Sequence, residues 1–134
     1  MSVRARIRKI SSGVVTTIAG TGVFDSTGDG GPALSATFRF PQGLVFDRAG
    51  NLYIAGYGSS KFRVISPAGI ITTAAGNGRF RNSPDGTAAR NAYLFVPTAI
   101  SFDPAGNLLI LDLFASRLRR IRPDGTLQVI AGIG

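Results

Sequence analysis

A block of about 56 residues is written twice in succession along this chain, with part of a third copy ahead of it. Gly20, Gly76 and Gly132 each close an apolar run, Gly69 and Gly125 each precede one, and Pro41 and Pro97 each open the next segment. Residues 21–76 and 77–132 agree at more than a third of their positions, among them Asp47/Asp103, Gly50/Gly106, Asn51/Asn107 and Ile65/Ile121. A period of this size means one supersecondary unit stacked on copies of itself. The nature of the unit and the number of copies therefore constrain the fold before any single segment does.

The unit reads as four short strands. In the first full copy they lie at 43–47, 51–55, 61–65 and 70–75, and in the second at 98–103, 107–111, 117–121 and 126–131. Each is rich in aliphatic and β-branched residues and bounded by Gly, Pro, Asn or Asp, the pattern of a meander. No stretch sustains a 3.6-residue apolar period, so helix is confined to scraps. Asp47-Arg-Ala-Gly-Asn51 and Asp103-Pro-Ala-Gly-Asn107 place glycine where a tight hairpin needs positive φ, and Gly69 and Gly125 do so again. Four antiparallel strands per repeat make one blade of a β-propeller.

The front of the chain holds only the last two strands of the unit. Arg6–Ile10 aligns with Lys61–Ile65 and Arg117–Ile121, and Val14–Ala19 with Ile70–Ala75. The expected architecture is all-β: a half-blade over 1–22, a blade with a long connecting loop over 23–76, and another over 77–134, together one domain. A propeller usually needs four to eight blades to cover every blade face, so each chain supplies an incomplete ring. With 44% apolar residues, an open arc leaves two blade faces and two strand edges in water. The expected outcome is a ring in which the partner is the chain itself, as a homo-oligomer, or else a chain that is part of a longer protein.

Ile7-Arg-Lys-Ile10, Gly13-Val-Val-Thr-Thr-Ile-Ala-Gly-Thr-Gly22, Gly28-Asp-Gly-Gly-Pro-Ala33, Phe40-Pro-Gln-Gly-Leu44 and Gly50-Asn-Leu-Tyr-Ile-Ala55 together resemble bacterial NHL-repeat β-propellers over nearly the whole chain. The resemblance implies a blade fold, commonly six to a ring, that displays binding surfaces, and it implies no single activity. Six blades at two full blades per chain favour a trimer, the front half-blade either pairing with a neighbour's strands or marking where a longer parent was cut; other rings and an unclosed arc capped by a dimer contact stay open. Where relatives carry Asn-His-Arg, this chain has Ser59-Ser60-Lys61 and Ala115-Ser116-Arg117; the Asp that ends the second strand stands as Asp112 but is Gly56 one period earlier.

Catalysis finds little material. The chain has no His, no Cys and no Glu, which removes the commonest general base, the soft metal ligands and most carboxylate pairs. A metal-dependent hydrolase or lyase of propeller type is the remotest of the three readings. Asp47 and Asp103 read as caps of the hairpin turns they open, and Asp85 and Asp124 as Asp-Gly turn residues. Asp25 and Asp29 flank glycines with the wrong spacing for a calcium loop. No catalytic residue, metal site or cofactor is expected. The connections 21–40 and 77–96 are unusually long, and Pro32–Ala36 and Ala88–Ala92 within them read as capped helical turns bracing one blade on the next.

Charge supplies the remaining clue. Fifteen Lys and Arg against seven Asp give +8. Arg6/Lys61/Arg117 and Arg8/Arg63/Arg119 fall at equivalent places on the third strands, which stacked blades turn into two basic rows suited to nucleic acid or another polyanion. Arg39, Arg79, Arg81 and Arg90 on the connections add to one rim if they face outward. The opposing expectation is that third-strand arginines stack between blades and bond carbonyls or Asp. No stretch is apolar enough to insert in a membrane and the N-terminus lacks the core of a signal peptide, so the sequence reads as a soluble chain of unspecified location.

Overall fold

The computed structural model describes residues 5–56, 61–76, 88, 97–112, 117–122 and 124–132. Ten strands follow one another: β1 (Ile7–Ser11), β2 (Val14–Ala19), β3 (Pro41–Phe46), β4 (Leu52–Gly56), β5 (Phe62–Ile65), β6 (Ile71–Ala75), β7 (Pro97–Phe102), β8 (Leu108–Asp112), β9 (Arg117–Ile121) and β10 (Leu127–Ala131). They form one two-stranded and two four-stranded sheets in which sequence neighbours are spatial neighbours. Among the described residues every pairing between these strands is antiparallel, and one isolated bridge, Phe24 to Phe38, is parallel. The fold is all-β, two blades and a half-blade, and does not close a ring.

The pairing register repeats with the sequence. Phe62 faces Ala75 but Arg63 faces Thr73; Leu118 faces Ala131 but Arg119 faces Val129; Ile7 faces Ala19 but Arg8 faces Thr17. Each outer strand pair thus carries an irregularity at the same place. The inner pairs do likewise, between Pro41 and Gly43 and between Pro97 and Ala99. A bulge adds local right-handed twist. At the inner hairpins Gly50 and Gly106 both take φ 87°, and Gly50 N–H donates to Asp47 O at 3.2 Å.

Strand alternation gives each blade two apolar faces. On the first full blade, Leu44, Phe46, Leu52 and Ile54 share the front face, and Val45, Tyr53, Ala55 and Phe62 the rear, as the cross-strand partners require. Leu52, Ile54, Ile65 and Ile71 pack on Ile7 and Ala19 of the half-blade in one core. One period on, Leu108, Ile110 and Leu127 pack on Phe62, Ala75 and Ala55 in the other. Both cores use the same positions, so each joint between layers is a copy of its neighbour.

The connection from β2 to β3 is a brace. Its helical turn is a short 3-10 segment, Ala33–Ser35, that starts at Pro32 with no side-chain cap. Gly20 N–H donates to Ala33 O at 2.9 Å and Thr21 N–H to Ala36 O at 3.0 Å, while Ala33 N–H donates to Gly69 O at 2.8 Å and Ile71 N–H to Gly31 O at 3.0 Å. The loop is therefore bonded both to the strand it leaves and to the outer strand of the next blade. Pro32 bridges Ile70, and Ala88 bridges Thr126 one period later. The rest of Ala88–Ala92 lies outside the described residues.

Candidate functional site

The basic third strands do not form two surface rows. Arg63 is 3% exposed and Arg119 is fully buried, and Arg63 points from the front face of its strand into the space beneath the connecting loop that precedes β3. Around Arg63 that loop is visible in detail. Nε donates to Asp29 Oδ1 at 2.9 Å, Nη1 to Thr37 O at 3.1 Å and Nη2 to Thr27 O at 3.0 Å, and Nη2 lies 2.8 Å from Asp29 Oδ1. The Thr73 hydroxyl donates to the other Asp29 oxygen, and the guanidinium sits 5.5 Å from the centre of the Phe38 ring. Such a planar fork suits two carbonyls and a carboxylate at once. The expectation of stacking and bonding to carbonyls and Asp describes Arg63, and Arg63 and Arg119 lie buried, not in the surface rows expected of polyanion-binding residues.

The other basic candidates are dispersed. Arg6 is half-buried, lies over Gly22 and donates from Nη2 to Thr21 O at 2.7 Å. Lys61 and Arg117 are half-buried and Arg8 is exposed. Arg39 stands 3.9 Å from an Asp25 carboxylate oxygen and 5.6 Å from the centre of the Phe24 ring. Arg79, Arg81 and Arg90 lie outside the described residues. Among the described residues, the basic side chains singled out in the sequence thus range from buried (Arg63, Arg119) to exposed (Arg8) and line up as no single exposed row.

The hairpin aspartates serve their own turns. Asp47 Oδ1 accepts the backbone N–H groups of Ala49 at 3.0 Å and Asn51 at 2.9 Å, and its Oδ2 accepts the Asn51 amide at 2.8 Å. Asp103 repeats this with Asn107, at 2.8 and 2.9 Å. The asparagine side-chain bond is the main cause that holds both carboxyls below their usual range; Asp124 is lowered in the same sense, first by the Thr126 hydroxyl. Carboxylates stabilised in their charged form and bonded into turns are poor proton donors.

Between these two hairpins lies a feature the sequence did not disclose. A cleft of about 450 Å³ opens between the blades, bounded by Phe46, Asp47, Arg48, Tyr53, Phe102 and Asp103. Tyr53 of β4 meets Phe102 of β7 edge to face, ring centres 5.3 Å apart, and burial followed by the Asp47 charge pushes the Tyr53 hydroxyl up. Every one of these residues is visible in the repeat alignment. Their union is not, because the cleft belongs to the joint between copies and to neither copy alone.

Four-stranded meanders stacked through the same pair of faces define a β-propeller repeat protein. A family model described as "Beta-propeller repeat" matches residues 33–63. Teneurin-1 of Caenorhabditis elegans is 37% identical over 93 residues, 66% of this chain and 3% of that protein. Human teneurin-4 is 31% identical over 153 residues, 95% of this chain and 5% of the relative. Among solved structures, a Bacteroides thetaiotaomicron protein of unknown function superposes with a TM-score of 0.72 at 21% identity, over 97% of this chain and 31% of the other. An auxiliary nutrient binding protein from Bacteroides ovatus gives 0.70 at 21%, over 96% and 33%. An inactive histidine-to-alanine variant of the Staphylococcus aureus virginiamycin B lyase gives 0.55 at 18%, over 96% and 35%. The chain is a stretch of β-propeller carrying the beta-propeller repeat, and it spans only 3% and 5% of these two teneurins.

Proposed function

We propose that the chain is a non-catalytic propeller module, a binding or scaffold element that assembles with further copies of itself into a multi-bladed ring, six blades in a trimer. The observation that carries this reading is the contrast between joined and unjoined faces. Phe102 is half-buried on Tyr53 of the blade before it, while Phe46, at the same place in the repeat, is 64% exposed and Leu44 is 50% exposed. At the opposite flank Leu111 is 40% exposed although its counterpart Ala55 is fully buried. Covering such surface contributes about 25 cal/mol per Å² and favours association. The chain also covers about one third of the propeller structures it resembles, so three such stretches match one of them in length.

Native mass spectrometry and sedimentation at micromolar concentration test the reading. A single defined oligomer supports it, and a compact stable monomer refutes it. The lyase neighbour supports the fold alone: its variant is described as inactive once a single histidine is replaced, and this chain contains no histidine. The alternative, a polyanion platform, loses its central pair to the interior and retains Arg8 and Lys9 as exposed residues of the first strand.

A further inference from the structure

We propose that the cleft between the two four-stranded blades is a binding site for a neutral saccharide, held on the corner of Tyr53 and Phe102 and hydrogen-bonded by Arg48, the Tyr53 hydroxyl and the carboxylates of Asp47 and Asp103. Both walls are complete four-stranded sheets of the same chain.

The two copies of the repeat differ where this cleft is lined. Asp47 and Asn51 match Asp103 and Asn107, and these residues build the hairpin turn of each copy. Arg48 and Tyr53 have no such counterparts: Pro104 stands at the first place and Leu109 at the second. A blade therefore folds without either of them. Both line the cleft, and neither the Arg48 guanidinium nor the Tyr53 hydroxyl has a hydrogen-bond partner among the described residues. The positions that depart from the repeat thus supply polar groups that the scaffold does not use.

The class of ligand follows from the groups present. Tyr53 and Phe102 meet at 82°, and the C–H groups of a sugar ring lie well against aromatic faces, which carry partial negative charge. Asp47 Oδ2 accepts the Asn51 amide and Asp103 Oδ2 that of Asn107, one bond apiece where a carboxylate oxygen takes two. Each keeps a place for a hydroxyl donor. Arg48 supplies donors in return, and so does the Tyr53 hydroxyl, which burial keeps in its protonated form. An anion would meet two ionised carboxylates, and a cation would meet Arg48. A sugar hydroxyl carries no charge and both donates and accepts, so it satisfies the two kinds of group together. The cleft holds about 450 Å³, and a hollow of about 330 Å³ continues from Tyr53 and Phe102 past Ala74 and Leu108, space in the range of small-molecule sites.

This site deepens the binding half of the proposed function, on which it rests, and requires neither a ring nor a second copy. Isothermal titration of the full chain with neutral trisaccharides of glucose, galactose, mannose and N-acetylglucosamine reads it, with a uronic-acid trisaccharide and choline as charged probes. Saturable binding of a neutral sugar is expected. Arg48→Pro and Tyr53→Leu place in the first copy the residues with which the second already folds, and each weakens binding by about tenfold; Tyr53→Phe, which keeps the ring, weakens it by about threefold, and Arg8→Ala on the half-blade leaves it unchanged. Circular dichroism confirms that each variant stays folded. Absence of saturable binding by every neutral sugar overturns the proposal, as does binding that Arg48→Pro and Tyr53→Leu leave intact, or tighter binding of either charged probe. Particle mass is a separate measurement. A monomer that binds the sugar removes the ring and keeps the site, and a defined oligomer that binds none does the reverse.

Discussion

Arg8 and Arg63 occupy the same place in the repeat and have opposite fates. Arg63 has four polar contacts and is 3% exposed, so Arg63→Ala removes the clasp on the connecting loop, takes the guanidinium donor from the Thr37 carbonyl and leaves the Thr27 carbonyl with the Thr37 N–H. A loss of about 2–4 kcal/mol is expected in urea denaturation. Arg8→Ala changes stability by less than about 0.5 kcal/mol, as a substitution at an exposed site does. The aspartates add a pH signature. Asp47, Asp103 and Asp124 have folded-state pKa values below those of the unfolded chain, so their contribution is present above the ordinary carboxylate pKa and is lost as pH falls through the lowered values. The urea midpoint falls as the medium is acidified below about pH 4, and Asp47→Asn with Asp103→Asn flattens that fall. The sequence told these residues apart only in part. Asp47 and Asn51 are close in the chain and their turn was legible, while the depth of Arg63 depends on a loop reaching back across more than thirty positions to Asp29 and Thr27.

At the scale of elements, all ten strands lie within a residue or two of their expected places, because apolar runs punctuated by Gly, Pro and Asn carry enough local information to locate a strand. The bulges were not legible: one extra residue on β6, Ala74, opposite the step from Phe62 to Arg63 shifts the pairing without altering composition. Nor was the form of the brace, which is one 3-10 turn at Ala33–Ser35 anchored by backbone bonds. Those bonds demand close approach at Gly20, where φ is 94° and an added Cβ would stand 2.4 Å from Ala5 O. Gly20→Ala is expected to destabilise by about 2–4 kcal/mol through combined clash and strain. Gly69→Ala, at φ 84° with nothing within 4 Å of the new methyl, loses about 1–2 kcal/mol from strain alone. Thermal melts of the two variants separate these cases.

For the whole molecule, the shortage of blades was readable from the repeat count, and the structure located the resulting bare surface at Leu44, Phe46 and Leu111. If further copies cover that surface, the denaturation midpoint rises with protein concentration, as for any assembly whose subunits bind only when folded. Phe46→Ser combined with Leu111→Ser abolishes the concentration dependence and lowers the particle mass in sedimentation, with the monomer's sheets intact by circular dichroism. What stayed out of reach of the sequence was the cleft between Tyr53 and Phe102. Sequence periodicity describes a unit, and this space exists only where two units meet.

The matching of registers from one sheet to the next has a consequence for how such a molecule can grow. Because Ile7 and Ala19 meet Leu52 and Ile54 in the same way that Phe62 and Ala75 meet Leu108 and Ile110, the rear of any layer fits the front of any other. A tandem duplication of residues 77–132 would therefore land on a joint already shaped for it, and the polypeptide can be lengthened one module at a time without inventing a new contact.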